Sequence, residues 1–171
     1  MNFFEVVNNR HSYRDTYADK PVPEEDIRKI LEAAIKAPSG WNLQSTRFVV
    51  INDPGKIAAV NEVLPMDAVK SAKALIVMVT KAIDADGLCF EVEDYGIACA
   101  YVMLATTALG YATVCLDGDV QENDNRAKLA KIIETPDDVT VRAVFPIGVP
   151  ASEMAAAPRM AYEERVSYNK Y

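Results

Sequence analysis

Two short segments carry the side chains best suited to chemistry. The first, Arg10 to Arg14 (RHSYR), sets two guanidinium groups and the Ser12 hydroxyl just after a short amphipathic segment. Arginine presents a planar fork of donors to phosphate oxygens, so this cluster favours a ligand that carries phosphate. The alternative is that Arg10 and Arg14 are ordinary surface residues after a helix.

The second segment is the turn Pro38 to Gln44, which follows a predicted helix. Asn42 and Gln44 each offer an amide that both donates and accepts, which suits the edge of a flat heterocycle. Together the two segments suggest a flavin mononucleotide (FMN) site. Alternatively, Ser39 and Asn42 simply form local hydrogen bonds to the backbone of the loop.

Composition limits the function classes. A chain of 171 residues is most simply one domain, 1–171, and a net charge of −7 without a basic run argues against nucleic acid. Three scattered cysteines and one histidine predict reduced thiols, a cytoplasmic location and no metal site. No signal peptide is apparent, and the apolar run 74–79 is too short to span a membrane.

Periodicity predicts an α+β domain, with helices packed on a mixed sheet. Helices are expected at 3–9, 23–37, 54–63, 91–109 and 123–133, and strands at 47–52, 74–80, 112–116 and 139–149. The apolar run 74–80 predicts a strand buried on both faces. The helix 91–109 is apolar nearly all round, which predicts a central position. With the aromatic residues near both chain ends, it also predicts a second copy of the chain as a partner.

These segments, taken in order, resemble the nitroreductase family. The resemblance is carried by RHSYR, by PVPEEDIRKILEAAIKAPSGWNLQSTRFVV, by EDYGIACAYVMLATTALGYATVCLDG and by the later PIGVP and PRMAYEE. It implies a mixed, largely antiparallel sheet flanked by helices. It also implies an intertwined homodimer with one FMN at each of two interface sites.

The resemblance assigns the basic and hydroxyl side chains to the cofactor's phosphate and ring. Arg10 and Arg159 match the arginines that contact phosphate, and Ser12 matches a hydroxyl that bonds the flavin or its ribityl chain. His11 is expected to pack beside the cofactor. Arg14 matches a cation near the pyrimidine edge, where it would stabilise the charge of reduced flavin and raise its reduction potential.

Two turns complete the implied site. The first reaches the flavin from the partner subunit, and the second approaches it through backbone at a strand end; their residues are Pro38, Ser39, Asn42 and Gln44, then Asp117 and Gly118. The family's usual Gln-Pro-Trp-Arg-Phe run is here Gln44 to Phe48 (QSTRF). This departure predicts a different pocket surface.

The implied activity needs no catalytic side chain, because the flavin carries the chemistry. NAD(P)H would bind transiently and deliver hydride, and a small-molecule acceptor such as a nitroaromatic or quinone would then be reduced in ping-pong order. The alternative is a protein on the same scaffold that binds flavin or tetrapyrrole, or consumes flavin, without acting as a reductase.

Overall fold

Four strands form one sheet in the order β1-β2-β4-β3. They are β1 (Thr46–Ile51), β2 (Ala74–Lys81), β3 (Ala112–Thr113) and β4 (Val139–Gly148), and each ladder between neighbours is antiparallel. The computed structural model describes residues 1–153 and 156–171. A parallel bridge between Ser12 and Thr113 adds the N-terminal segment to the β3 edge. The predicted α+β fold with a largely antiparallel sheet is therefore confirmed.

Helices cover both faces of this sheet. The described helices are α1 (Phe3–Asn9), α2 (Glu24–Ala34), α3 (Pro54–Val63), α4 (Asp67–Ser71), α5 (Glu91–Ala108), α6 (Gly118–Gln121), α7 (Asn125–Ile133) and α8 (Tyr162–Arg165). Leu75 and Val77 of β2 pack with α3, α4 and α7. Ile76 and Met78 pack with α2 and α5 on the opposite face. Because alternate side chains of a strand face opposite ways, β2 is buried on both sides, as its apolar run predicted.

Two predicted elements are shorter than expected. The helix predicted at 23–37 ends at Ala34, and residues 35–37 continue only as hydrogen-bonded turns. The strand predicted at 112–116 is regular only over Ala112–Thr113, although Leu116 pairs again with Val144. The shared register places Val114 opposite Pro146, which has no N–H to donate, so the ladder is interrupted there.

Helix α5 is covered on one side only within a single chain. Ala98, Val102 and Thr106 are buried against α2 and the sheet. Val92, Ile97 and Tyr101 are 54%, 38% and 37% exposed. The helix is therefore less enclosed than the predicted central position implied. No helix in the described residues is long and apolar enough to cross a membrane.

Candidate functional site

The turn after α2 has an unusual backbone conformation. Trp41, Asn42 and Gln44 have φ angles of 49°, 57° and 51°, in the left-handed region that tryptophan and glutamine seldom adopt. A single 3₁₀ turn, Gly40–Asn42, lies within the segment. Such conformations are unfavourable and persist where surrounding contacts impose them, often at functional sites.

The same turn borders a cleft of about 470 Å³. Pro38, Ser39 and Gln44 line it, together with Phe48 of β1 and apolar side chains of α2. The Ser39 hydroxyl accepts a hydrogen bond from the Gln44 backbone N–H at 3.0 Å. The structure thus brings three of the four predicted turn residues to one cavity. Asn42 lies in the same turn and is exposed.

Asp94 of α5 anchors this turn and was not predicted from the sequence. One carboxylate oxygen accepts the Gly40 backbone N–H at 2.8 Å, and the other accepts the Ser45 hydroxyl at 2.7 Å. Asp94 and Ser45 are only 3% and 2% exposed. The only signal in the sequence is an acidic residue in the first turn of a predicted helix, and such a residue is equally typical of an interaction with the helix dipole.

Gly40 is also held by a close aromatic contact. A Cβ added at Gly40 would lie 2.2 Å from the Phe90 ring, so no larger residue fits without movement. The Phe90 ring also lies 6.2 Å from the Trp41 ring, measured between centroids. The start of α5 therefore fixes this turn through packing as well as through hydrogen bonds.

The segment Arg10 to Arg14 is attached to the edge of the sheet. The Tyr13 backbone N–H donates to the Thr113 carbonyl at 2.9 Å. Arg10 is the C-terminal cap of α1 and is half-buried, whereas Arg14 is exposed. His11 is half-buried and its Nδ1 donates to the Asn9 carbonyl at 3.0 Å, a local contact. The buried residue of the segment is Tyr13, whose hydroxyl donates to the Thr16 carbonyl at 2.7 Å.

The strand-end turn at Asp117 and Gly118 begins α6. Asp117 accepts hydrogen bonds from the Gln121 amide at 2.7 Å and, more weakly, from the Tyr95 hydroxyl at 3.4 Å. Tyr95, to which the sequence assigned no role in the site, therefore links α5 to this turn. Burial raises the pKa of Tyr95, which keeps its hydroxyl protonated. A Cβ at Gly118 would meet no atom of the described chain within 4 Å.

The three predicted arginines make no side-chain hydrogen bond or ion pair in the described part of the chain. Arg159 is exposed in the segment that precedes α8. Within residues 1–153 and 156–171, no hydrogen bond or ion pair uses the side chain of Arg10, Arg14 or Arg159. In the same residues, no group of three or more His, Cys, Asp and Glu side chains is arranged to hold a metal ion.

Sequence relatives identify the fold family. The model of the nitroreductase family matches residues 7–75. A protein of Methanothermobacter thermautotrophicus, named "Putative NADH dehydrogenase/NAD(P)H nitroreductase", is 32% identical over 152 residues, which are 88% of this chain and 78% of that protein. The chain belongs to the nitroreductase family.

Solved structures agree with this assignment at the level of the fold. A nitroreductase-fold protein of Parabacteroides distasonis matches with a TM-score of 0.88 at 24% identity, over 100% of this chain and 99% of that chain. A protein described as an FMN-dependent nitroreductase, from Clostridium difficile, matches with a TM-score of 0.85 at 24% identity, over 98% and 99% of the two chains.

This member of the nitroreductase family has its own arrangement at the expected Pro-Trp position. Ser45 and Thr46 occupy it, and Ser45 donates to Asp94 as described above. The guanidinium of Arg47 donates to the backbone carbonyls of Gln44 and Thr46. The hydroxyl oxygen of Thr46 is buried, borders the 470 Å³ cleft and has no hydrogen-bond partner in the described part of the chain. Of these residues, Thr46 and Arg47 line the cleft, so polar side chains contribute to this side of it.

Proposed function

We propose that this nitroreductase is an FMN-dependent oxidoreductase that uses NAD(P)H and works as a homodimer. The observation that carries the proposal is the set of uncommitted guanidinium groups in an acidic chain. Arg10, Arg14 and Arg159 remain available in a protein of net charge −7, in which other exposed cations, such as Arg28, Lys29 and Lys128, are paired with carboxylates. The similar structure described as FMN-dependent supports the same cofactor.

The donor set fits a phosphorylated flavin. A phosphate monoester carries close to two negative charges at neutral pH, and arginine binds it through charge-assisted hydrogen bonds. We assign Arg10 and Arg159 to the phosphate, Ser12 to the ribityl chain or ring, and His11 to packing beside the cofactor. The free space at Gly118 fits a turn that a ring approaches through backbone.

The chain's contribution to the chemistry is electrostatic. When bound, FMN supplies the two-electron chemistry, accepting hydride from a nicotinamide and reducing an organic acceptor. We assign Arg14 to the pyrimidine edge, where its fixed positive charge would favour the reduced form and raise the reduction potential. No side chain is required to act as a nucleophile or as a general acid.

A second copy of the chain completes the site. The exposed apolar side chains of α5, with Phe3 and Phe4 of α1 at 66% and 75% exposure, form a surface suited to association. In the proposed homodimer the turn 38–44 reaches the flavin of the neighbouring subunit. A cytoplasmic location remains a prediction from the reduced cysteines.

Both electron donor and electron acceptor are proposed to use one face of the ring in turn. The cleft beside the turn is open and lined by Gln44, Thr46 and Arg47 as well as apolar groups, which suits a small organic acceptor such as a nitroaromatic or quinone. Since both molecules need the same space, we expect ping-pong kinetics.

Anaerobic spectroscopy tests the proposal. Purified protein loaded with FMN should lose its yellow absorption band on addition of NADH or NADPH and regain it on addition of a quinone. A flavin that binds but is bleached by neither nicotinamide would overturn the reductase assignment and favour the non-reductase alternative. A protein that binds no FMN would overturn the reductase assignment and every flavin-based alternative, and would leave only the tetrapyrrole-binding alternative.

A further inference from the structure

We infer that Asp94 is the positioning residue that holds the turn 38–45 in its strained conformation; its functional consequence rests on the proposed FMN site. Asp94 borders the 470 Å³ cleft, but both of its carboxylate oxygens are bonded within the chain, so it acts on the site through the backbone of the turn. Its role is to fix the backbone from which Ser39, Asn42 and Gln44 are presented.

The two hydrogen bonds of Asp94 bracket the strained segment. Gly40 lies immediately before Trp41, and Ser45 immediately after Gln44, so the carboxylate is bonded on both sides of the three residues with positive φ. Within the turn, the Asn42 and Leu43 backbone N–H groups donate to carbonyls only three residues earlier. These bonds lie within the turn and do not connect it to the rest of the fold. The bonds to Asp94 connect it to α5.

Burying the Asp94 carboxylate costs free energy that a neutral hydrogen-bonding side chain would not cost. Asp94 is 3% exposed, and among the described residues no cation forms an ion pair with it. Burying a charge without a cation is unfavourable unless hydrogen bonds compensate. The position of Asp94 in the first turn of an 18-residue helix, together with the two donors, supplies that compensation.

One of the two bonds to Asp94 depends on the departure of this chain from the family's usual run. At the position where that run has proline, Ser45 supplies a hydroxyl that donates to Asp94 at 2.7 Å. Proline has no side-chain donor and no N–H, so it could not make either type of bond. The pair of Asp94 and Ser45 therefore replaces the rigidity of proline by a buried hydrogen bond.

The test compares Asp94→Ala with Asp94→Asn and Ser45→Ala. Asparagine keeps an acceptor for the Gly40 N–H and can donate to the Ser45 oxygen, so it should largely rescue the alanine variant. Thr106→Val is the matched control, because it removes another buried polar group of α5 whose hydroxyl bonds only its own helix, at 2.7 Å to the Val102 carbonyl.

Hydrogen exchange of the cofactor-free protein gives a readout independent of flavin. In Asp94→Ala the amides of the segment 40–45 should exchange about tenfold faster or more, the scale expected when charge-assisted hydrogen bonds are lost. The amides of β2 should keep their protection. Unchanged exchange in 40–45, or equally faster exchange in Thr106→Val, would overturn the anchoring role.

FMN titration gives the functional readout. Asp94→Ala should raise the FMN dissociation constant by about tenfold or more, Ser45→Ala by less, and Asp94→Asn and Thr106→Val only slightly. Faster exchange with an unchanged dissociation constant would overturn the functional part of the inference. If the parent protein binds no FMN, the proposed function fails while the exchange measurement still decides the anchor. If Asp94→Ala does not fold, Ser45→Ala provides the same two readouts.

Discussion

At the scale of single residues, what marks an arginine as a candidate ligand contact is that its guanidinium has no partner within the chain. Arg28 is bonded to Glu32 at 2.8 Å, as an arginine on an acidic surface is expected to be. Arg10, Arg14 and Arg159 have no such partner among the described residues, so their charge is free to act on a ligand. Asp94 differs from these arginines, because both of its oxygens already accept hydrogen bonds within the chain; we therefore assign it to positioning and not to ligand binding.

The proposed phosphate role of Arg10 leads to the first prediction. Arg10→Ala should weaken FMN binding by about 2 kcal/mol, or about thirtyfold in Kd, because a charge-assisted hydrogen bond to phosphate is lost. Fluorescence titration of the cofactor-free protein with FMN measures the change. Arg28→Ala is the control and should bind FMN like the parent protein. Equal binding by both variants would remove Arg10 from the site.

At the scale of elements, α5 organises the candidate site. Its first turn holds the turn after α2 through Asp94, and Tyr95 reaches the turn at Asp117. Arg142 of β4 lies 5.4 Å from the Tyr95 ring centroid and donates to Glu91, so the beginning of α5 is itself fixed to the sheet. Three separate segments, two turns and one strand, are thereby attached to the beginning of one helix.

The sequence predicted the strongly patterned elements and missed what fixes the site. The continuous apolar run of β2 and the long apolar segment of α5 leave few alternatives, so both were predicted to within about one residue. Periodicity cannot detect α4, α6 and α8, which have five, four and four residues.

The conformation of the turn could not be predicted from the sequence either, for a different reason. Positive φ angles at Trp41 and Gln44 contradict the preferences of both residues, and they are imposed by contacts with a helix some fifty positions away. Nothing local in the sequence encodes that contact. Pro38, Ser39 and Gln44 could be selected as site residues, whereas their positioning partner could not.

A hydrogen bond between α2 and the residue before β3 predicts a pH dependence of stability. The Tyr111 hydroxyl donates to Asp26 at 2.7 Å, and this bond, with a smaller contribution from Lys29, lowers the pKa of Asp26 below its usual 3.8. A carboxyl group with a lowered pKa stabilises the fold above its unfolded-state pKa and loses that contribution as the pH falls through the folded-state value.

Tyr111→Phe should therefore lower the free energy of unfolding at neutral pH, and the difference from the parent should shrink as the pH falls below 3.8. Urea unfolding across this pH range provides the measurement. Tyr171→Phe, at the exposed C-terminal residue, is the control and should behave like the parent throughout. A difference that grows on acidification would contradict the assigned bond.

At the scale of the whole molecule, the fold has a surface that a single chain leaves uncovered. Large apolar side chains of α1 and α5 are exposed, although the two faces of the sheet are well covered by helices. Exposed apolar surface of this extent is unfavourable in water and marks a site where a partner binds. The proposed homodimer supplies that partner and, with it, the second half of each flavin site.

A charge on this surface should separate the subunits. Ala100 is exposed on α5, and Ala58 is exposed on α3, so Ala100→Glu and Ala58→Glu introduce the same change on two helices. We expect Ala100→Glu to shift the protein toward monomer and to weaken FMN retention with it, because a buried unpaired charge opposes association. Light scattering with in-line absorbance measures both. A dimeric, yellow Ala100→Glu protein would exclude this face from the interface.

Native mass spectrometry of the purified, FMN-loaded protein shows whether two copies of the chain jointly hold the cofactor. In the proposed arrangement, arginines of one copy bind the phosphate and the turn of the other copy packs against the ring. We predict a dimer that carries two FMN molecules and loses them when it separates into subunits. A monomer that retains FMN, or a dimer that takes up none, would contradict it.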